Sequence, residues 1–147
     1  MAHVLVVDDD DMVRNMQVLL LQVAKHEVTA CEDYDTARDV LRASVQPGGK
    51  KIDLIVTDGE YPGDTRFKGT PHGGDSTNGS ACLMQEVSAL QIKAPVIMVT
   101  GNKGFFDNNP FPPECRQPDR IFQKASDEQR MLPRRINELI ANPQLRL

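Results

Sequence analysis

Four consecutive aspartates, residues 8–11, follow directly on the apolar run 4–7 near the start of the chain. A short apolar run of this kind is typical of a buried β-strand, so the carboxylates stand where that strand emerges. Adjacent carboxylates repel one another, and their burial is unfavourable unless a cation is held beside them. Asp58 ends a second apolar run, residues 52–57, in the same way. The two segments predict a divalent-metal site built around a reactive aspartate.

Two further groups stand at the ends of strand-like segments. Thr100 ends the run 95–100, and Lys124 follows the short run 120–123. Ligands of open α/β sheets bind at the carboxyl ends of the strands, so the residues at these ends are expected to meet. These residues are Asp8, Asp9, Asp58, Thr100 and Lys124. Carboxylates hold a hard cation such as Mg²⁺ or attack phosphorus in line, and an ammonium and a hydroxyl stabilise phosphoryl oxygens. The set therefore predicts phosphoryl chemistry.

The elements that must position this set alternate between strand and helix, which favours an α/β fold with a parallel sheet covered on both faces. The predicted strands are residues 4–7, 27–31, 52–57, 95–100 and 120–123, of which the second suits a sheet edge. The predicted helices are residues 12–25, 35–45, 80–91 and 127–141. In the first helix the residues that recur at the helical period are Met12, Val13, Met16, Leu19, Leu20 and Val23. The expected N-caps are Asp10 or Asp11 for the first helix, Asp35 for the second and Ser126 for the last.

Two segments depart from this alternation. Residues 59–79 are rich in glycine and almost without aliphatic side chains, which indicates a long exposed loop. Residues 101–119 contain prolines at 110, 112, 113 and 118, and this spacing excludes a normal helix there.

Composition limits the classes of function. The chain has 147 residues and a net charge of −4, so nothing in its charge favours nucleic acid or an anionic membrane as a partner. Three cysteines without metal-ligand spacing indicate reduced thiols. The three histidines, His3, His26 and His72, are expected at the surface or at strand edges. No signal peptide or membrane-spanning run is recognisable, and we expect a cytoplasmic protein with one domain, residues 1–142, and a tail, residues 143–147.

The motifs resemble the receiver domain of two-component response regulators over the whole chain. Residues 4–14 (VLVVDDDDMVR) are similar to that family's first strand, acidic pair and helix start. Residues 53–58, with Pro62 four positions on, are similar to its phosphoacceptor strand. Residues 94–101 and 121–124 resemble the strands that end in its hydroxyl residue and its lysine. The resemblance implies a doubly wound, five-stranded parallel sheet of flavodoxin-like order 2-1-3-4-5.

The resemblance also implies roles for the residues. Asp58 would accept a phosphoryl group from a histidine kinase or a histidine phosphotransfer protein. Mg²⁺ would be held by Asp8, Asp9 and Asp58, with the backbone carbonyl of Glu60 as a further ligand. Thr100 would bond the phosphoryl group, and Lys124 would pair with it. The protein would signal through a downstream protein partner and would not be an enzyme in the usual sense.

Three features depart from the family pattern. An insertion, residues 63–78, separates the acceptor segment from Gly79. The fourth helix is expected to be missing or much shortened, because its counterpart is the proline-rich segment 101–119. Ile121 replaces the aromatic residue that normally stands three positions before the lysine.

Two alternatives remain open. A degenerate receiver would use the same fold for protein contacts without phosphorylation, as the altered fourth helix and the missing aromatic residue suggest. A haloacid-dehalogenase-like phosphatase also places an aspartate after its first strand. Met12 stands where that class has Thr or Val, however, and no acidic pair occurs late in the chain.

Overall fold

The structure is a computed structural model that describes residues 2–63, 79–107, 111, 113–124 and 132–141. Its strands are β1 (His3–Val7), β2 (Glu27–Cys31), β3 (Leu54–Thr57), β4 (Val96–Thr100) and β5 (Arg120–Gln123). Its helices are α1 (Asp11–Val23), α2 (Tyr34–Ser44), α3 (Gly79–Ala89), α4 (Lys103–Phe106) and α5 (Leu132–Ala141). No helix in these described ranges is long and apolar enough to cross a membrane.

The five strands form one parallel sheet of order β2-β1-β3-β4-β5. This confirms the doubly wound fold and the expected order. Successive residues of β1 point to opposite faces: Leu5 and Val7 belong to the apolar cluster beneath α2 and α3, and Val4 and Val6 belong to the cluster that includes Leu21. Both faces of the sheet are therefore buried, which explains why the central strands are apolar without alternation.

Helix α1 begins as predicted, whereas α2 begins earlier. The Asp10 side chain caps α1 by accepting hydrogen bonds from the backbone N–H groups of Met12 and Val13. The predicted cap of α2, Asp35, is wrong: Asp33 accepts the N–H of Thr36 at 2.8 Å. Tyr34 is buried in the core, so the helix starts there, and Asp35 falls in its first turn. The predicted cap Ser126 lies outside the described residues.

The apolar period of α1 does not mark its buried face. Gln17 and Leu21 are the buried residues of the helix. The exposed large apolar side chains of α1 are Met12, Met16, Leu19, Leu20 and Val23. The sequence pattern identified the helix correctly, but most of the residues that produce the pattern face away from the sheet.

The histidine prediction is wrong for His3, which is buried between neighbouring segments. Its Nδ1 lies 3.0 Å from the carbonyl of Lys51, and its Nε2 lies 2.8 Å from the hydroxyl of Thr29. His26 is half-buried and bonds Asn137 through Nε2, whereas His72 lies outside the described residues. All three cysteines are free and buried, as the reduced-thiol prediction requires.

The fourth helix has only four residues, Lys103–Phe106, and this confirms the predicted shortening. The proline-rich chain after it is anchored by Arg116, whose guanidinium donates to the carbonyls of Ile92 and Ala94 at 2.6 and 3.0 Å. Arg116 also pairs with Asp119 at 3.1 Å. A half-buried side chain thus holds this segment against the connection between α3 and β4.

Candidate functional site

The predicted site residues meet at the carboxyl edge of the sheet because they extend its strands. Asp8, directly after β1, donates its backbone N–H to Cys31 O, and Asp58, directly after β3, donates to Val7 O at 2.8 Å. Lys124 follows β5 and donates its backbone N–H to the carbonyl of Thr100 at 2.9 Å. The main chain of each residue is therefore fixed by the hydrogen-bonding pattern of the parallel strands.

The structure places Lys124 between two buried carboxylates. Its ammonium nitrogen lies 3.2 Å from Asp8 Oδ2 and 3.1 Å from Asp58 Oδ2. Both carboxylates are almost wholly shielded from solvent, and this weakens the usual screening of such pairs. One cation thus partly compensates two anions, and the site as described keeps excess negative charge.

A group of three carboxylates suits a divalent cation. Asp8, Asp9 and Asp58 each offer an oxygen atom within 4.8 Å of the other two. Asp8 Oδ2 is buried and accepts no well-directed hydrogen bond from any described residue, although the ammonium of Lys124 is near. Mg²⁺ prefers oxygen ligands, and an additional positive charge would satisfy this atom. The donor set therefore fits the metal that the sequence predicts.

The remaining predicted residues lie beside this cluster. Thr100 is buried, and its Oγ1 accepts the backbone N–H of Asn102 at 3.1 Å. The side chain of Glu60 is exposed, and the role of its backbone carbonyl as a ligand stays a prediction.

Burial sets the protonation behaviour of the site. It raises the pKa of Asp58 to about 6; the charge of Asp8 adds to this shift, and Lys124 opposes it. Burial likewise raises the pKa of Asp8. Burial alone would lower the pKa of Lys124, but the attraction of the two carboxylates outweighs it and the pKa is raised. At neutral pH Asp58 is therefore mainly ionised, at a cost in stability.

The sequence did not reveal which buried residues contact Thr57 and Gly59, the neighbours of Asp58, from the core side. The buried hydroxyl of Tyr61 lies 2.9 Å from Thr57 Oγ1, and the buried Ser80 hydroxyl donates to Gly59 O at 2.6 Å. A Cβ atom at Gly59 would overlap the ring of Phe106 and lie 2.6 Å from Thr100 Oγ1. No local pattern marks these contacts, since Ser80 and Phe106 lie far along the chain from Gly59.

Solved structures share this architecture. A response regulator receiver domain protein from Clostridium thermocellum has a TM-score of 0.68 and 17% identity, with 100% of each chain covered. The response regulator TrrA of Thermotoga maritima, in complex with Mg²⁺ and BeF, has a TM-score of 0.67 and 19% identity over 95% of this chain and 99% of its own. A CheY-like receiver protein from Methanospirillum hungatei has a TM-score of 0.65 and 18% identity over 96% and 94%. The chain has the receiver fold of response regulators.

The sequence alone matches no protein-family model and no curated protein. Ile121, which stands where the resembled family is expected to have an aromatic residue, is half-buried. An aromatic ring of α4, that of Phe106, does lie against Gly59, and it packs on Phe105 and Phe111. The short fourth helix of this receiver fold therefore directly contacts Gly59, the residue after Asp58.

Proposed function

We propose that this protein is the phospho-accepting receiver of a two-component system or phosphorelay, with Asp58 as the acceptor. The observation that supports the proposal best is the meeting of Asp58, Asp8 and Lys124 at the carboxyl edge of a receiver fold. A histidine kinase or a histidine phosphotransfer protein would donate the phosphoryl group. The output would be a contact with another protein in the cytoplasm.

In the proposed reaction an ionised carboxylate oxygen of Asp58 attacks phosphorus in line while the bond to the donor nitrogen breaks. Lys124, already within 3.1 Å of that carboxylate, would move onto a phosphoryl oxygen as the negative charge shifts there. The hydroxyl of Thr100 would donate to a second phosphoryl oxygen. Asp8, Asp9, Asp58 and the carbonyl of Glu60 would hold Mg²⁺, which would supply electrostatic neutralisation of the transferring group.

The proposal predicts Mg²⁺-dependent uptake of one phosphoryl group from a small acyl phosphate. Intact-protein mass spectrometry should show the added mass at millimolar Mg²⁺ and none in excess chelator. The Lys124→Ala variant should bind Mg²⁺ but accumulate product at least tenfold more slowly, because it lacks the ammonium that stabilises the transition state.

Two outcomes would favour the alternatives. A wild-type protein that gains no mass at millimolar Mg²⁺ would be a degenerate receiver that uses the fold for protein contacts. Steady turnover of a phosphate ester, lost in Asp8→Asn and retained in Asp58→Asn, would indicate a haloacid-dehalogenase-like phosphatase.

Helix α1 is the proposed docking surface for the phosphodonor. Its exposed apolar residues lie at positions 12, 16, 19, 20 and 23, the spacing of one helical face, and Met12 and Val23 are 84% and 73% exposed. Such a face packs well against an amphipathic helix of a partner. The helix starts next to Asp8 and Asp9, so a donor helix bound there would stand close to Asp58.

Charged substitutions on this face are expected to separate docking from chemistry. In phosphotransfer from a panel of autophosphorylated histidine kinases, the double variant Met16→Asp and Leu19→Asp should reduce transfer from the fastest donor at least tenfold. Uptake from the acyl phosphate should stay within twofold of wild type. A control on another helix, Arg42→Asp, should change neither rate, and equal transfer by both variants would remove α1 as the docking surface.

A further inference from the structure

The backbone that follows Asp58 and the start of α3 are in direct contact. Gly79 donates its backbone N–H to the carbonyl of Tyr61 at 2.9 Å, so the chain returns at residue 79 to the point that it left after residue 61. A Cβ atom at Gly79 would overlap the Tyr61 ring and lie 2.7 Å from Tyr61 O, so only glycine allows this approach. Gly79 is the first residue of α3, and Ser80 follows it in the first turn of the helix.

Two buried hydroxyl groups hold the carbonyls at the acceptor. The Ser80 hydroxyl, on a residue that is 2% exposed, donates to Gly59 O at 2.6 Å. The Thr57 hydroxyl donates to Asp58 O at 2.9 Å, and this uses its one proton. Tyr61 O–H must therefore donate to Thr57 Oγ1, which it approaches at 2.9 Å. The carbonyls of residues 58 and 59 are thus fixed from the core side by separate donors.

This restraint is needed because of Gly59. The contacts with Phe106 and Thr100 leave no room for a side chain at this position. Glycine has more backbone freedom than any other residue, so the nucleophile is followed by an intrinsically flexible joint. The peptide unit that links residues 59 and 60 is planar, and a hydrogen bond to its oxygen restricts the orientation of the whole unit.

We propose that Ser80 is a positioning residue for the acceptor site. Its hydroxyl orients the peptide unit between Gly59 and Glu60, and through it the Asp58 carboxylate and the Glu60 carbonyl that would face Mg²⁺. This inference rests on the proposed receiver function. It adds a residue that stands 21 positions beyond Gly59 in the chain and touches no substrate.

The test compares Ser80→Ala with Ser88→Ala, a matched control in the same helix. The Ser88 hydroxyl also donates to a carbonyl, that of Met84 at 2.8 Å, but about two turns further along α3, where it also accepts the backbone N–H of Arg116. Calorimetry should give a Mg²⁺ dissociation constant that is at least fivefold larger for Ser80→Ala than for wild type. Phosphoryl uptake from an acyl phosphate at saturating Mg²⁺ should be at least fivefold slower. Ser88→Ala should stay within twofold of wild type in both.

A second measurement separates this inference from the proposed function. Backbone amide hydrogen exchange, followed by NMR without Mg²⁺, should be at least tenfold faster at Gly59 and Glu60 in Ser80→Ala than in wild type. Tyr61→Phe should change exchange in the same direction. If wild-type protein takes up no phosphoryl group, the proposed function fails, and faster exchange still supports the positioning role. Unchanged exchange, or Mg²⁺ affinity and uptake within twofold of wild type, would overturn the role of Ser80.

Discussion

The Asp58→Asn variant is expected to take up no phosphoryl group and yet to be more stable than the wild type. At pH 8 without divalent cations, its free energy of unfolding should be higher by about 1–3 kcal/mol. The reason is that the wild-type fold holds two carboxylates, Asp8 and Asp58, against a single ammonium, that of Lys124. Asparagine keeps the shape of the side chain and removes one of these charges.

The pH dependence follows from the raised pKa of Asp58, about 6 in the folded protein against an ordinary value of 3.8. Between these values the folded state binds the proton more strongly than the unfolded state, so this group stabilises the fold less as pH rises through about 6. This difference accumulates between the two pKa values, so the advantage of Asp58→Asn should be nearly complete at pH 8 and roughly half as large at pH 5. Urea denaturation at both pH values measures it.

Two comparisons test this explanation. Asp9→Asn removes an exposed carboxylate of the same cluster and should change the free energy of unfolding without Mg²⁺ by less than about 0.5 kcal/mol. Added Mg²⁺ should stabilise the wild type more than Asp58→Asn, because a ligand stabilises the state that binds it. An advantage of Asp58→Asn that is equal at pH 5 and pH 8 would contradict the electrostatic cause.

Gly59→Ala is expected to be strongly destabilising, by about 2–3 kcal/mol, because it overpacks the core. The new methyl group would overlap Phe106 Cε2 and lie 2.6 Å from Thr100 Oγ1 and 2.8 Å from Phe106 Cζ. Phe106 is the buried residue of a four-residue helix and packs on Phe105 and Phe111. Displacement of its ring would therefore disturb α4 as a whole.

A double-mutant cycle with Phe106→Leu identifies the cause of this loss. Leucine removes the ring edge that the new methyl group meets, so the double variant should be more stable than the sum of the two single effects predicts, by about 1 kcal/mol or more. Gly104→Ala is the control, since a Cβ there meets nothing within 4 Å, and alanine favours a helix over glycine. Additive effects, or equal stability of Gly59→Ala and Gly104→Ala, would show that the site tolerates a side chain at position 59.

The sequence was sufficient to predict the sheet and the residues at its carboxyl edge. Apolar runs identify β1, β3 and β4, and helical periods identify the long helices between them. Because parallel strands all end at one edge, residues that follow different strands converge there whatever their distance along the chain. Asp8, Asp58 and Lys124 could therefore be placed in one site before their distances were known, and the prolines near residue 110 sufficed to predict the shortening of α4.

Other features depended on the tertiary structure. The buried face of α1, the burial of His3 and the start of α2 at Tyr34 each depend on which neighbour an element packs against, and local periodicity does not specify that neighbour. The contacts that Ser80 and Phe106 make with Gly59 arise because segments far apart in the chain meet across the core. The sequence by itself thus determined which charged groups meet at the carboxyl edge of the sheet, through the order of its strand ends. Only the tertiary structure decided how Asp58 and Gly59 are held, because that depends on packing between elements.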